Sequence, residues 1–119
     1  QYGLESYIDF KHNLSRTDLY GELLKSSCVV ISSYSEGFCF AAVETMALGV
    51  PIVSSNRAAL PEIVSGRLLR MEGLSSADLV EAMRKAYRGE WKKRPLRRFE
   101  LEDTVQNYLH LYTEMIEEG

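Results

Sequence analysis

The amino-acid sequence predicts an α/β domain in which a parallel sheet is flanked by helices. Residues 28–31 (CVVI) form an unbroken apolar run, as parallel strands that are buried on both faces do. Residues 40–48 (FAAVETMAL) are rich in helix formers, and Gly49 and Pro51 end that helix before a second apolar run at residues 52–53. The three segments form a β-α-β unit, which is the building block of a parallel sheet.

Four strands are predicted, and they alternate with helices along the chain. The apolar runs place the strands near residues 7–10, 28–32, 52–54 and 67–69. Helices are predicted at residues 16–25, 40–48, 58–64, 77–87 and 102–117. In the helix at residues 77–87 the apolar residues recur at helical spacing; they are Leu79, Val80, Met83 and Tyr87. This order of elements is typical of a parallel α/β sheet.

Several helix ends and faces carry recognisable patterns. Ser15 with Asp18, and Ser75 with Asp78, have the spacing of N-terminal capping boxes. Pro61 suits an early turn of the helix at residues 58–64. On the first helix we expect an inner apolar face formed by Leu19, Leu23 and Leu24. On the last helix we expect an apolar stripe formed by Val105, Leu109, Tyr112 and Ile116.

Composition limits the class of protein. At 119 residues the chain fits a single domain spanning residues 1–119, and 45% apolar with 26% charged residues is usual for a globular protein. The net charge of −3 argues against a general affinity for nucleic acid. No apolar run reaches the roughly 18–20 residues that span a bilayer, and no signal-peptide pattern is seen, so we expect a cytoplasmic location.

Two glutamates and a helix N-terminus mark a candidate binding crevice. Ligands of open α/β sheets bind beyond the carboxyl ends of the strands, so residues 32–39 and 54–60 should share one crevice. Glu36 lies in the first of these loops, and Glu44 follows on the helix that the loop opens. Unpaired amides at residues 37–41 and the positive end of the helix favour an anion such as a phosphate. A carboxylate nearby can bind two vicinal hydroxyls of a sugar.

Residues 33–64 (SYSEGFCFAAVETMALGVPIVSSNRAALPEIV) closely resemble the donor-binding segment of the retaining glycosyltransferases of group 1, which have GT-B architecture. That family carries two glutamates separated by seven residues, within E-G-F-G-x-x-x-x-E-A-M-A-x-G-x-P-V-V, and a later P-E pair. The matching positions are Glu36, Gly37, Phe38, Glu44, Met46, Ala47, Gly49, Pro51, Pro61 and Glu62. The resemblance implies a Rossmann-like sheet that is part of the C-terminal domain.

The resemblance also implies roles for individual residues around a nucleoside diphosphate sugar, which would be the substrate rather than a cofactor. Glu44 would bind the ribose hydroxyls, and Glu36, as the catalytic-site residue, would face the transferred sugar. Arg57 is able to neutralise phosphate charge, although an exposed arginine on a loop is more often simply solvated. The remaining donor contacts would come from the backbone at Gly37, Phe38, Cys39, Phe40 and Ala41. No metal ion or other cofactor is expected.

Two departures from the family pattern concern residues 39 and 45. Cys39 stands where the family often has glycine, and Thr45 where it usually has alanine. If only the amide of residue 39 matters, cysteine is tolerated; if φ must be positive there, cysteine costs about 1 kcal/mol or more. The helix end would lower the pKa of Cys39, but an unreactive thiol is the favoured interpretation, and Cys28 and Cys39 form no disulfide or metal pattern.

Two further segments have weaker predictions. In the family, the loop that contains Lys11, His12 and Asn13 here often packs on the nucleotide base, and Glu62 would support the crevice from behind. Residues 88–98 gather six basic residues around Trp91. A peripheral contact with an anionic membrane or an acidic partner is one interpretation of this run. A solvated connection between helices is the favoured one, because Pro95 interrupts any amphipathic helix.

The strand count affects the expected activity. The family's nucleotide-binding half has six strands, so we expect this chain to be a fragment without its first strands and without the acceptor domain. Two sheet edges would then be free, or would pair with another chain in an edge-strand oligomer. The family's phosphate-binding Arg and Lys and its orienting histidine would also lie outside this chain. The isolated chain is therefore expected to be inactive.

Three hypotheses about function remain open. The first is the donor-binding part of a retaining glycosyltransferase that moves a sugar to an acceptor hydroxyl on a glycan, a lipid or a small molecule. The second is a non-catalytic module that binds a nucleotide sugar or a partner. In the third, Glu36 caps the helix and Glu44 is a solvated surface residue. A nucleotide-sugar epimerase is less attractive, because its usual site pattern is not seen.

Overall fold

The computed structural model describes residues 2–119 and shows a four-stranded sheet with helices on both faces. The strands are β1 (Val29–Ile31), β2 (Ile52–Ser54), β3 (Gly66–Arg70) and β4 (Lys92–Arg94). The helices are α1 (Arg16–Lys25), α2 (Phe40–Ala47), α3 (Leu60–Ile63), α4 (Ser76–Tyr87) and α5 (Leu101–Glu118), with a short 3-10 helix at Glu5–Tyr7. This architecture confirms the predicted α/β, Rossmann-like class.

The strands lie in the order β1-β2-β3-β4, so that strands adjacent in sequence are adjacent in space. The first three are parallel, and the register aligns Ile31 with Ser54 and Ser54 with Arg70 at their carboxyl ends. β4 returns antiparallel to β3, with Arg94 opposite Gly66. The sheet is thus parallel except for one edge strand.

Apolar side chains pack on both faces of the sheet, as the apolar run of β2 predicts. The same prediction is wrong for β1, which is an edge strand and whose Val30 is 37% exposed. On one face, α2 and α3 cover a core that includes Ile31, Ile52 and Leu68. On the other, α4 covers Val53 and Leu69. Consecutive residues of a strand point to opposite faces, so a strand covered on both faces has apolar residues at consecutive positions, as β2 does at Ile52 and Val53. Ile52 and Val53 are both fully buried.

The prediction of a strand at residues 7–10 is wrong. Chain direction changes at Gly3, whose φ is +65°, and residues Glu5–Tyr7 form the 3-10 helix. Tyr7 and Phe10 are 83% and 80% exposed. A strand is held by hydrogen bonds to a neighbouring strand, and this segment pairs with none of the four strands.

Residues 88–98 are exposed apart from the half-buried Trp91, as expected of a solvated connection, but they also contain a strand that the sequence did not predict. Residues Lys92–Arg94 form β4, and their backbone pairs with β3 through residues Gly66 to Leu68. Charged residues are uncommon in strands, but all three side chains of β4 are exposed at the rim of the sheet, where lysine is usual.

The predicted capping box is confirmed at α4, whereas at α1 only the Ser15 half of the predicted box forms. The Ser15 hydroxyl accepts a hydrogen bond from the Asp18 amide at the start of α1. Ser75 and Asp78 form a complete reciprocal capping box at the start of α4. α2 ends as predicted, since Gly49 adopts a φ of +74° that glycine tolerates without strain.

The inner face predicted for α1 is not buried. Leu24 is 60% exposed and Leu19 is 37% exposed, and α1 contains no buried residue. α5 likewise has no buried residue, and its predicted stripe of Val105, Leu109, Tyr112 and Ile116 is 41–80% exposed.

The molecule measures 64 × 33 × 26 Å, an elongated shape. No helix among residues 2–119 has both the length and the apolar character needed to cross a membrane.

Candidate functional site

Two loops meet at the carboxyl ends of β1 and β2, as the sequence predicts. The Ser55 amide donates to the carbonyl oxygen of Ile31 at 2.9 Å, and the Ser55 hydroxyl donates to the carbonyl oxygen of Ser33 at 2.5 Å. The guanidinium of Arg57 lies over the ring of Tyr34, 5.9 Å from its centroid. These contacts join the loop that precedes α2 to the loop that follows β2. Tyr34 and Ser55 were not selected from the sequence as site residues.

Glu36 is a half-buried residue in the first loop. Its Oε1 accepts a hydrogen bond of 2.8 Å from the Ser33 hydroxyl, which restricts the rotation of the carboxylate. The Glu36 carboxylate also raises the pKa of the nearby Cys39 thiol. The Glu36 carboxylate accepts no capping hydrogen bond from an amide of α2 within residues 2–119, and part of its acceptor capacity remains free.

Glu44 lies on the side of α2, between the buried face and solvent. Ala42, Thr45 and Met46 of the same helix are buried against the sheet, whereas Glu44 is half-buried. Its carboxylate makes no hydrogen bond and no ion pair with any residue in the described range 2–119. A half-buried carboxylate without a protein partner is available for a ligand.

Backbone donors gather at the start of α2. Four successive amide N–H groups have no hydrogen-bond partner within residues 2–119, and they belong to Gly37, Phe38, Cys39 and Phe40. No side chain caps this helix, because Cys39 occupies the N-cap position without a capping hydrogen bond. Unpaired amides and the positive end of the helix dipole together favour negative or hydroxyl-rich ligands.

Cys39 does not have the activated thiol that a helix end can produce. Burial raises the pKa of this thiol, and the nearby Glu36 carboxylate also raises it. The Ala41 and Ala42 amides act in the opposite direction without reversing the shift. The thiol is therefore protonated at neutral pH, which agrees with the unreactive interpretation and not with a lowered pKa. The φ of Cys39 is −15°, so the backbone there does not need glycine.

The next loop contains a backbone feature that the sequence did not indicate. Ala58 adopts a φ of +51°, which L-residues other than glycine rarely adopt. This residue lies between Arg57 and α3, whose second residue is Pro61 as predicted. Glu62 on α3 is exposed, and its carbonyl oxygen accepts a hydrogen bond from Arg97.

Aromatic rings line the outer side of the first loop. The ring of Phe38 contacts Phe40 edge-on at 5.2 Å and Phe99 edge-on at 5.1 Å. Phe40 is 72% exposed. Phe99 comes from the segment after β4, which the sequence did not connect with this site.

Other parts of the surface lie away from the two glutamates. Two grooves of about 370 and 320 Å³ flank the C-terminal half of α2, and neither is lined by Glu36 or Glu44. Lys11 of the predicted base-contacting loop is paired with Asp9 and Glu22. Within residues 2–119 there is no group of three or more His, Cys, Asp or Glu side chains arranged to hold a metal ion.

The fold defines a class of protein: an α/β domain in which two loops meet at the carboxyl ends of parallel strands, the place where domains of this class usually bind their ligands. Residues 1–99 match the family described as Glycosyl transferases group 1, and the chain belongs to this family. It is also similar to an MMP alpha-(1->4)-mannosyltransferase of Mycolicibacterium hassiacum, with 40% identity over 62 residues. That match covers 52% of this chain and 15% of the length of the relative.

Proposed function

We propose that this chain forms the donor-binding part of a retaining GT-B glycosyltransferase. The enzyme would move a sugar from a nucleoside diphosphate sugar to an acceptor hydroxyl. The observation that carries the proposal is the row of four unpaired amides from Gly37 to Phe40. The half-buried Glu36 precedes this row, and the half-buried Glu44 follows one turn later on α2. Membership of the glycosyltransferase family supports the choice of ligand.

Glu44 is proposed to bind the ribose of the nucleotide. A carboxylate accepts hydrogen bonds from two vicinal hydroxyls at once, and the Glu44 carboxylate has no protein partner among residues 2–119 to compete with them. Glu36 is proposed to bind the transferred sugar. Its Oε1 is held by Ser33, so its remaining lone pairs can accept from a sugar hydroxyl in a fixed direction.

The diphosphate is proposed to lie against the start of α2. In the reaction, the bond between the anomeric carbon and the diphosphate oxygen breaks, and the acceptor oxygen bonds to that carbon on the same face. The leaving diphosphate takes the electron pair of the broken bond, and one of its oxygens takes the proton that the acceptor hydroxyl loses. Amides aimed at the leaving group stabilise the charge that develops on it, and Arg57 adds a cation beside it.

We further propose that catalysis requires residues beyond those described here. The donor site in this proposal contains two glutamates, backbone amides and one arginine, and it includes no residue that would hold the acceptor. The isolated chain is therefore expected to bind a nucleotide sugar without transferring it. A radioactive sugar-transfer assay that detects turnover by the isolated chain would contradict this expectation.

Binding of UDP and GDP sugars by the 119-residue chain tests the proposal. Isothermal titration should detect binding, and Glu44→Gln and Glu44→Ala should weaken it by about 10-fold or more. One charge-assisted hydrogen bond contributes about 1.5–3 kcal/mol, and the lower end applies because Glu44 is half-buried. Glu117→Gln on α5 is the matched control, since it removes the same charge from an exposed helix end.

Two outcomes would contradict the proposal. Absence of binding by the wild-type chain at millimolar ligand would remove the donor-site assignment. Equal affinity of the wild-type chain and both Glu44 variants would mean that Glu44 is a solvated surface residue, as in the third hypothesis from the sequence.

A further inference from the structure

We propose that Arg97 and Phe99 are positioning residues of the donor site, which they shape without touching the ligand. They belong to residues 95–99, the segment between β4 and α5, which is called the strap below. The proposal rests on the donor-binding function proposed above. Its structural part, that the strap holds two walls of the crevice, can be tested without any ligand.

The strap runs along α2 from one edge of the sheet to the other. It leaves β4 at Arg94, which lies opposite Gly66 at the start of β3. It ends at Phe99, which contacts Phe38 in the loop before α2. Between these points the strap and α2 line a common groove of about 320 Å³, formed by Val43, Met46, Ala47, Leu96, Arg97, Arg98 and Phe99.

The first wall that the strap holds is the amide-rich loop before α2. The ring of Phe99 meets the ring of Phe38 at 90°, with centroids 5.1 Å apart, and Phe38 in turn meets Phe40. Phe38 lies between two residues with unpaired amides, Gly37 and Cys39. Because glycine gives the chain at residue 37 wide conformational freedom, ring packing at residue 38 helps to fix the direction of these amides.

The second wall is α3, which the strap contacts at its C-terminal end. The Arg97 Nη1 donates to the carbonyl oxygen of Glu62 at 2.7 Å, and the Arg97 amide donates to the Ser65 hydroxyl at 2.9 Å. Ser65 is buried and its own amide and hydroxyl lie 3.0 and 3.3 Å from the sulfur of Met46 on α2. Arg97 therefore connects α3 with α2.

One residue links the two walls. The Arg97 guanidinium lies over the ring of Phe99, with its carbon 5.1 Å from the centroid. The same side chain thus contacts a carbonyl of α3 and the ring that packs on the amide-rich loop. Displacement of either wall changes the contact that supports the other.

Helix capping alone explains part of this arrangement but not all of it. Arg94 donates to the carbonyl oxygens of Pro61 and Val64, and Arg70 also donates to Pro61, so the end of α3 has other cationic partners. Such contacts are usual at helix C-termini. The contact between Phe99 and Phe38 has no capping role, and it falls on the loop that carries the proposed ligand donors.

Amide hydrogen exchange in the 119-residue chain tests the structural part. The Ala42 and Val43 amides bond to the Cys39 carbonyl and report on the start of α2, whereas the Ile63 and Val64 amides report on α3. Phe99→Ala should accelerate exchange at Ala42 and Val43 by about 2- to 10-fold, the range expected for loss of one aromatic pair. The Val53 amide in β2 should not change.

The arginine variants provide the second arm of the exchange experiment. Arg97→Ala should accelerate exchange at Ile63 and Val64. Arg98→Ala is the matched control, because Arg98 is adjacent, exposed and makes no hydrogen bond within residues 2–119. Phe99→Tyr keeps the ring and should exchange as the wild type does.

Affinity for a UDP or GDP sugar then tests whether the strap acts on the donor site. Phe99→Ala should weaken binding by about 2- to 10-fold, and Tyr87→Ala, which removes a 94% exposed ring from α4, should not. Phe99→Tyr should restore wild-type affinity. These values require variants whose far-ultraviolet circular dichroism matches that of the wild type.

The outcomes separate the two proposals. Unchanged exchange at Ala42 and Val43 in Phe99→Ala, or equal acceleration throughout the sheet, would overturn the positioning role. Wild-type binding with undiminished affinity in Phe99→Ala would also overturn it. A wild-type chain that binds no nucleotide sugar would instead contradict the donor-binding function, while the exchange rates still decide whether the strap orders the loop.

Discussion

Replacing Ala58 with glycine should stabilise the protein, although the same change at Ala59 should destabilise it. Ala58 has a φ of +51°, where an L-residue other than glycine is strained by about 1–2 kcal/mol. Glycine removes that strain but loses about 0.5–1 kcal/mol more conformational freedom on folding. Because Ala58 is exposed, no packing is lost. The net gain in the free energy of unfolding for Ala58→Gly is therefore about 0.5 kcal/mol.

Ala59 is the matched control because it is the next residue and has a φ of −77°. Ala59→Gly relieves no strain, so the entropic loss of about 0.5–1 kcal/mol remains, and its half-buried methyl group also leaves the core. Urea denaturation should show midpoints displaced in opposite directions, by about 0.2–0.5 M for Ala58→Gly when the slope is about 1–3 kcal/mol/M. A loss of stability in Ala58→Gly as large as that in Ala59→Gly would refute the reasoning.

Three further predictions concern the core, a helix cap and a thiol. Ile52→Ala should lower the free energy of unfolding by about 2–5 kcal/mol, because Ile52 is fully buried. Val30→Ala should lower it by less, because Val30 is 37% exposed. Urea denaturation of both variants measures the difference. The hydrogen bonds from Ser75 hold the pKa of Asp78 below its usual range. The cap therefore stabilises α4 fully at a pH above about 3.9, the pKa of an aspartate in the unfolded chain. This stabilisation is lost as the pH falls through the lower pKa that Asp78 has in the folded protein. Circular dichroism should show this loss of helix in the wild type and not in Asp78→Asn. In Cys28→Ser, iodoacetamide should alkylate Cys39 much more slowly than a free thiol at pH 8, because burial raises its pKa; a rate equal to that of the urea-unfolded chain would contradict this.

The features that the sequence predicted depend on contacts between residues close in the chain. The β-α-β unit from β1 to β2 follows from two apolar runs and from Gly49, which ends α2. The sequence predicted a glycine-dependent helix end at this position, and Gly49 has a φ of +74°. The N-cap hydrogen bond at Ser15 and the capping box at Ser75 each form within a single turn. Such signals are local, so they need no knowledge of the tertiary structure.

The features that the sequence did not predict depend on distant partners. β4 consists of Lys92, Lys93 and Arg94, which have low strand propensity, and it exists because β3 offers it an unpaired edge. Residues 7–10 contain three apolar or aromatic side chains but pair with none of the four strands. The contact of Phe99 with Phe38 joins segments on either side of three strands, and no pattern in either segment indicates the other.

For the candidate site, the sequence predicted which loops meet but not the contacts that hold them. The adjacency of the loops after β1 and β2 follows from parallel pairing alone. The hydrogen bond from Ser33 to Glu36 and the stacking of Arg57 on Tyr34 depend on side-chain rotamers. These rotamers cannot be predicted from a sequence pattern. The roles of Glu36 and Glu44 remain predictions until a ligand is titrated.

The basic character of β4 restricts how copies of this molecule can associate. Two sheets that joined through β4 would bring Lys92, Lys93 and Arg94 of one copy against the same cations of the other, and their mutual repulsion opposes that union. β1 has the opposite character, since its apolar residue Val30 is 37% exposed and the strand carries no charge. Growth of the sheet by an added strand is therefore directed to the β1 side.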